Sequence, residues 1–241
     1  FFAGIVLGAV RVQPSSVFEL LGAAFGFNSL DEVPGQDATI ILYIRLPRLI
    51  ASLVVGAALA LCGTVLQGLF RNPMASPDIL GVSSGASLGA VIAINTGLIT
   101  LSSFFLPLLT VAGALISSFL IYTIASYRGR TSLLFIVLAG LAISSFFNGL
   151  VSAILLFAKH YEVSQFIFWT MGGFDARMWK HVLLPLPFLL IGMALLFFFV
   201  RDLNLFAFGE EQAHALGMGV ERTKKIILII SALVTGMAIS I

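Results

Sequence analysis

The stretch RLPRLIASLVVGAALALCGTVLQGLFRNPMASPDILGVSSGASLGAV, residues 45–91, contains two uncharged apolar runs separated by a polar break. The first run, residues 49–70, is long enough to cross a bilayer, because a helical span needs about 20 mostly apolar residues. The break, RNPMASPD, contains Pro73 and Pro77. Each proline lacks the amide hydrogen that a continuous helix requires. The stretch therefore predicts two membrane helices joined by a rigid turn.

The same pattern of apolar runs and short charged breaks continues along the whole chain. Only 10% of the residues are charged and 59% are hydrophobic, whereas a soluble domain carries roughly 25% charged residues. The apolar runs are continuous rather than alternating, which favours helices over strands. We predict an all-α, polytopic transmembrane bundle that forms one domain over residues 1–241. The runs cover residues 1–10, 49–70, 79–101, 104–127, 131–158, 182–200 and 226–241.

Several function classes are disfavoured by what these runs lack. They contain no Asp, Glu, Lys, Arg or His, although ion-coupled carriers place such groups inside the membrane. The sequence has no P-loop motif, so any ATP-driven work needs a partner that binds the nucleotide. Cys62 is the single cysteine, which excludes an internal disulfide and a multi-cysteine metal site. The cations form no basic stripe, so we predict no nucleic-acid partner.

Small residues recur at every fourth position in two of the runs. Such stripes let helix backbones approach closely, which is how membrane helices pack without a hydrophobic driving force. We therefore predict close helix packing along both stripes. They consist of Ser52, Gly56, Ala60, Thr64 and Gly68 in one run and of Gly81, Gly85 and Gly89 in the next.

The segment GVSSG, residues 81–85, matches the nucleophile-elbow pattern around Ser83. That pattern needs a strand-to-helix turn and a histidine base within hydrogen-bonding reach. The three histidines lie in breaks between apolar runs, and no strand is predicted before Gly81. An intramembrane serine hydrolase using Ser83 is therefore an alternative hypothesis, and a passive channel is another.

Arg45 and Arg48 stand at the head of the first long run. Residues three apart share one face of a helix, so both guanidinium groups are expected on the same side. Arginines at a membrane interface commonly extend toward the headgroups. A second interpretation is a docking site for carboxylates, because the guanidinium fork suits bidentate pairing.

The most polar segment is FGEEQAHALGMGVERTKK, residues 208–225. Its Glu211-x-x-His214 pair is half of a di-iron helix motif, which needs a second pair and further carboxylates, so we predict no metal site. Residues 209–217 can form about two helical turns, which are unstable in isolation. The segment is therefore either a solvated loop or a short helix that binds another protein.

Residues 45–91 closely resemble the signature of FecCD-type permeases, the membrane subunits of type II ABC importers for ferric siderophores, haem and cobalamin. The segment LNLFAFGEEQAHALGMGVER, residues 203–222, resembles the coupling segment of that family, and WTMGGF, residues 169–174, resembles its loop after the fifth span. The resemblance runs from about residue 11 to the end of the chain. It implies a permease domain of which about seven of roughly ten typical spans are visible.

The resemblance also implies roles for individual residues. Arg45 and Arg48 match arginines on the outer face that pair with glutamates of the substrate-binding protein. Residues 208–219 match the cytoplasmic coupling helix that inserts into a cleft of the ATPase subunit. The residues that match the coupling segment are Gly209, Glu210, Glu211, Ala213, Leu216 and Gly217. The residues that match the cytoplasmic gate are Asn72 and Met74, with Thr131 and Ser132 as a second gate candidate.

The function implied by the resemblance is that of a permease subunit in an ATP-driven importer for a ferric siderophore or a related metal chelate. Such a subunit is not an enzyme and has no catalytic residue, metal site or cofactor of its own, because ATP and magnesium bind the ATPase partner. Its expected location is the bacterial inner membrane, which it crosses several times. The expected partners are ABC ATPase subunits, an extracytoplasmic substrate-binding protein, a second permease subunit in a homodimer or heterodimer, and membrane lipid.

Overall fold

The computed structural model describes residues 2–8, 10, 12–24, 35–78, 80–127, 130–131, 133–175 and 177–241. The fold is helical apart from one short antiparallel strand pair, β1 (Ser126–Tyr127) and β2 (Arg130–Thr131). The helices are α1 (Phe2–Val6), α2 (Pro14–Ala24), α3 (Gly35–Thr39), a π-helical turn (Ile40–Arg45), α4 (Leu46–Phe70), α5 (Val82–Asn95), α6 (Leu98–Leu101), α7 (Phe105–Ala125), α8 (Leu133–Phe157), α9 (His160–Met171), α10 (Trp179–Leu183), α11 (Leu186–Phe198), α12 (Val200–Ala207), α13 (Glu210–Ala215) and α14 (Val220–Ile239).

Within these residues, four helical segments are long and apolar enough to cross a membrane. They are Gly35–Phe70, Phe105–Ala125, Leu134–Phe157 and Trp179–Phe198. The shorter apolar helix α5 and the 20-residue helix α14 add to them. The predicted all-α, polytopic membrane architecture is confirmed.

The apolar run at 79–101 differs in detail from the single span that the sequence predicts. Its helix α5 ends at Asn95, and Gly97 adopts a φ of 72° before the four-residue helix α6 begins. Glycine accepts this left-handed conformation without the steric cost that a side chain would bring. A helix cannot continue through it, so the run is divided into two helices.

The chain divides into two compact units. One contains Phe1–Val54 and Phe174–Leu184, and the other contains Val55–Gly173 and Pro185–Ile241. The first unit has a small apolar core, and Trp179 Nε1 donates a hydrogen bond of 2.8 Å to the Leu42 carbonyl within it. The single domain over residues 1–241 stays a prediction. The buried core residues of the first unit are Ile5, Val12, Val17, Leu20 and Ile41.

In the second unit, α7 packs against α5, α8 and α14. The contact between α5 and α7 is so close that a Cβ atom at Gly85 would collide with the Gly113 carbonyl, and one at Gly89 with the Leu109 carbonyl. The predicted packing of the glycine stripe at 81–89 is confirmed. A Cβ at Gly56 on α4 would meet no atom within 4 Å, so the other stripe makes no such contact at that position.

Candidate functional site

The polar segment after α12 forms the short helix α13, which is bounded by two glycines in the left-handed region. Gly209 has a φ of 113° and Gly217 has a φ of 86°, so the chain bends sharply at both ends of the helix. Such backbone angles are unfavourable for residues that carry a Cβ atom. Of the two interpretations that the sequence left open, a solvated loop or a short helix, the structure contains the short helix.

The two faces of α13 differ in their surroundings. Ala213 is fully buried, whereas Leu216, at the end of the helix, is 67% exposed. Phe208, just before the helix, is also exposed, as are Glu211 and His214. These two apolar residues therefore differ in role, because Ala213 anchors the helix to its own chain and Leu216 points outward.

A buried lysine connects α13 to two other segments. Lys224 Nζ on α14 donates hydrogen bonds to Glu210 Oε2 at 2.7 Å, to Glu221 Oε1 at 3.0 Å and to the Thr131 carbonyl at 3.2 Å. Its side chain is only 4% exposed. An ammonium group has three hydrogens to donate, and each of them finds an oxygen here. The geometry thus joins α13, α14 and β2 through one cation.

Thr131, one of the predicted gate residues, is buried at the end of β2. Its hydroxyl lies 2.5 Å from Glu221 Oε2 and 2.9 Å from the Ser126 hydroxyl of β1. The side-chain hydrogen bond from Thr131 to Glu221 therefore holds the strand pair to the first turn of α14. The other predicted residue of this gate, Ser132, lies outside the described residues.

The charges around Lys224 do not balance, since two carboxylates face one ammonium group. Burial by itself raises the pKa of Glu221, but hydrogen bonds from Thr131 and Lys224 outweigh that effect and leave its pKa below the ordinary value. Glu221 is therefore ionised at neutral pH. A surface cleft of about 750 Å³ adjoins these groups and is lined by Glu210, Glu211, His214, Gly219, Val220, Glu221 and Arg222.

The first predicted gate segment is the turn after α4. Arg71 adopts a φ of 48°, and Asn72 Oδ1 accepts a hydrogen bond of 2.9 Å from the Met74 amide. The Met74 side chain is exposed. Among the described residues, no hydrogen bond joins this turn to Thr131. The gate role of both segments stays a prediction.

The two predicted docking arginines have different environments. Arg45 is buried, and its guanidinium group donates hydrogen bonds to the carbonyls of Ile5, Val6 and Val10. Arg48 Nη1 forms an exposed ion pair of 2.7 Å with Asp175 Oδ1. Their shared helical face does not persist, because Arg45 belongs to a π-helical turn, where the repeat is wider than in an α-helix. Docking through either arginine stays a prediction.

Ser83 does not occupy a nucleophile elbow. It is the second residue of α5, and its hydroxyl donates a hydrogen bond to Asp78 Oδ1 in the turn before the helix. Within the described ranges, no strand precedes Gly81 and no group of three or more His, Cys, Asp or Glu residues could hold a metal ion. This bond joins the turn at Asp78 to the first turn of α5.

The sequence over residues 1–241 matches the model of a protein family described as the FecCD transport family. The chain belongs to this family. The resemblance inferred from residues 45–91 and 203–222 is therefore confirmed, and the FecCD assignment fits the helical membrane fold.

Two FecCD relatives and one solved structure illustrate the similarity. The chain is 40% identical over 208 residues to the cobalamin import system permease protein BtuC of Halobacterium salinarum. The aligned region covers 86% of this chain and 56% of that protein. The chain is 37% identical over 228 residues to the hemin transport system permease protein HmuU of Yersinia pestis, covering 90% of this chain and 66% of that protein. A metal-chelate type ABC transporter in an inward-facing conformation is 27% identical and superimposes with a TM-score of 0.82, covering 99% of this chain and 70% of that chain. The chain thus spans just over half of the first relative's length.

This chain also contains a buried carboxylate that the sequence reasoning missed. Glu162 on α9 accepts hydrogen bonds of 2.9 Å from the Lys159 amide and from Asn95 Nδ2 at the end of α5. The Lys159 amide is the main reason why its pKa lies below the ordinary value. The spacing of Lys159 and Glu162 matches the first residue and the N3 residue of a capping box, which was the available signal.

The sequence reasoning also missed the roles of Lys224 and Glu221. Their i,i+3 spacing could have indicated an ion pair on one helix face. No local signal could have indicated the contact between Lys224 and Thr131, which lie 93 residues apart.

Proposed function

We propose that this FecCD-family chain is a permease subunit of an ATP-driven ABC importer and that an ATPase subunit binds at α13. The observation that carries the proposal is the two-sided character of this helix. Ala213 and Lys224 hold its inner side, while Phe208 and Leu216 are exposed beside it. A six-residue helix does not persist by itself, and large apolar side chains on a rigid exposed helix are typical of a protein-binding surface.

The energy for transport comes from the partner in this proposal. Residues 1–241 contain no P-loop motif that could cradle ATP phosphates. ATP and magnesium therefore bind the ATPase subunits, and this chain contributes no cofactor and no catalytic residue. Binding of α13 by the ATPase is the step through which nucleotide binding alters the membrane helices.

The proposed cargo is a metal chelate such as cobalamin, haem or a ferric siderophore. Support comes from the cobalamin and hemin transport proteins and the metal-chelate type transporter to which the chain is similar. An extracytoplasmic binding protein delivers the chelate by pairing its carboxylates with the outer arginines, and a second permease subunit completes the pathway. The proposed location is the bacterial inner membrane. The proposed gate residues are Asn72, Met74, Thr131 and Ser132.

The coupling role of α13 can be tested with Leu216→Asp in the full-length permease. In the proposed complex the ATPase covers Leu216, so a charge at this position is expected to weaken ATPase binding by about tenfold or more, as at interface hot spots. Leu101→Asp is the matched control, because Leu101 is 74% exposed at the end of α6, outside α13. The measurements are ATPase affinity in nanodiscs and ATP-dependent uptake of cyanocobalamin, hemin and ferric desferrioxamine into proteoliposomes.

Three results would contradict the proposal. Leu216→Asp could leave both ATPase affinity and uptake unchanged, or the control could reduce them equally. Uptake that proceeds at the same rate without the ATPase would indicate a passive channel instead.

A further inference from the structure

Lys224 is the point at which three separate segments of the second unit meet. Its ammonium group contacts Glu210 of α13, Glu221 of its own helix and the Thr131 carbonyl of β2. Because the side chain is only 4% exposed, water cannot replace a lost partner easily. A buried cation without its partners is strongly disfavoured, so the three acceptors and the lysine are expected to stay together.

The two carboxylates around Lys224 face different surroundings. The Glu210 side chain is half exposed, while the Glu221 side chain is more buried and also accepts a hydrogen bond from the Thr131 hydroxyl. Thr131 therefore holds the lysine from the strand pair, and Glu221 holds it from its own helix. Glu210 is the contact through which α13 reaches it, and hydrogen bonds between two ionised groups are among the stronger ones in proteins.

We propose that Lys224 is a positioning residue that transmits a displacement of α13 to the β1–β2 pair. This inference rests on the proposed function, in which an ATPase moves α13. When Glu210 moves with α13, separation from Lys224 would leave a buried ammonium group short of one acceptor. Movement of Lys224, Glu221 and Thr131 together with Glu210 preserves all the bonds. The strand pair that carries Thr131 consequently follows the helix.

A purely structural ion cluster would behave differently from a transmitting one. Removal of a structural cluster lowers the stability of the resting protein but leaves the response to nucleotide intact. Removal of a transmitting residue leaves the response of α13 to nucleotide intact but reduces the response of β1–β2. The decisive readout is therefore the change between two nucleotide states, measured at both segments.

Hydrogen exchange in the full-length permease with its ATPase, in nanodiscs, provides this readout. Amide exchange is compared without nucleotide and with ATP plus vanadate, in peptides that contain α13 and in peptides that contain β1 and β2. In the wild type, both sets of peptides are expected to change. In Lys224→Met, α13 is expected to respond as before, while the change at β1–β2 becomes about tenfold smaller, as for residues on a coupling path.

Two further variants control for charge and shape. Lys225→Met removes the adjacent, exposed cation and is expected to leave both responses unchanged. Lys224→Arg keeps a cation with several donors and is expected to restore part of the response at β1–β2. If Lys224→Met does not assemble, Lys224→Gln tests the same link, because it removes the ammonium charge but keeps a polar side chain at this position. It is expected to reduce the β1–β2 response without reducing that of α13.

A full response of β1–β2 in Lys224→Met, or in Lys224→Gln where that variant replaces it, would overturn the inference. An equal loss in Lys225→Met would do the same. If α13 itself shows no response to ATP plus vanadate in the wild type, the proposed ATPase contact fails together with the inference. The two failures are therefore distinguishable in one experiment.

Discussion

Gly85 on α5 and Gly113 on α7 lie so close that a Cβ atom on either residue would collide with the carbonyl oxygen of the other. The relationship is reciprocal, so neither helix can gain a methyl group here unless the backbones move apart. Close backbone approach through small residues is a main source of stability between membrane helices. This contact explains why α5, which is shorter than the other apolar helices, holds its place against α7.

Gly85→Ala is therefore expected to destabilise the protein. Forcing extra atoms into a packed contact costs about 1–3 kcal/mol, and each kcal/mol lowers the unfolding midpoint by about 2–4 °C in a domain of this size. The measurement is the thermal unfolding midpoint of the purified protein in detergent.

Gly149→Ala is the matched control for this prediction. Gly149 lies on α8, and a Cβ atom there would meet nothing within 4 Å. Since alanine favours helices over glycine by about 1 kcal/mol, this variant should unfold at the wild-type temperature or above it. The packing explanation fails if Gly85→Ala unfolds no earlier than Gly149→Ala.

The contribution of Glu162 to stability is expected to depend on pH. Its carboxylate accepts hydrogen bonds from the Lys159 amide and Asn95, and its folded-state pKa lies below the ordinary value of 4.5. A carboxyl group with a lowered pKa stabilises the fold fully above its unfolded pKa, and the effect is lost as pH falls through the folded pKa. Glu162→Gln should therefore unfold at a lower temperature than the wild type at pH 7.

The difference between the two proteins should be constant from pH 7 to about pH 5.5 and should shrink below about pH 4.5, where the wild-type carboxyl begins to protonate in the unfolded state. The check is a series of unfolding midpoints for both proteins across this range. Glu211→Gln, which changes an exposed carboxylate, should have little effect at any pH. A difference between Glu162→Gln and the wild type that grows on acidification would contradict the assignment.

The helical fold could be predicted from the sequence because apolar runs of span length have few other solutions in a membrane. The contacts between helices are harder to predict from the sequence. The stripes at 52–68 and 81–89 have the same four-residue spacing, yet a Cβ atom meets a neighbouring backbone at Gly85 and nothing at Gly56. Spacing shows which residues share a face, but which element covers that face depends on the packing of the whole chain.

In the candidate site, too, local features could be predicted from the sequence and long-range contacts could not. The bounding glycines of α13 and its short length follow from local sequence, since glycine adopts positive φ angles freely. The link from Lys224 to Thr131 spans 93 residues and has no periodic signal. The separation of Arg45 from Arg48 depends on the π-helical turn Ile40–Arg45, an irregularity that the three-residue spacing cannot reveal.

Arg45→Met is expected to reduce stability, whatever its effect on docking. The guanidinium group of Arg45 donates hydrogen bonds to the carbonyls of Ile5, Val6 and Val10. Methionine would leave these acceptors without their donor. Loss of partners for buried polar groups costs about 1–3 kcal/mol. The unfolding midpoint should fall in Arg45→Met and stay nearly unchanged in Arg48→Met, which removes an exposed ion pair. Equal midpoints for the two variants would contradict the structural role of Arg45.

Arg48 and Asp175 are expected to act in opposite directions on the binding of the extracytoplasmic binding protein that we propose as a partner. Their ion pair is exposed on both sides, with side-chain exposures of 56% and 85%, so a carboxylate of the binding protein would compete with Asp175 for the guanidinium group. Asp175→Asn should therefore raise the affinity by a factor of about two to five, the equivalent of an exposed ion pair. Arg48→Glu should lower the affinity.

Affinities of the binding protein for permease nanodiscs can be compared at 0.05 and 0.5 M salt. Both effects should diminish at high salt because exposed charges are screened. Docking through Arg48 would be refuted by equal affinities for the wild type and Arg48→Glu at low salt.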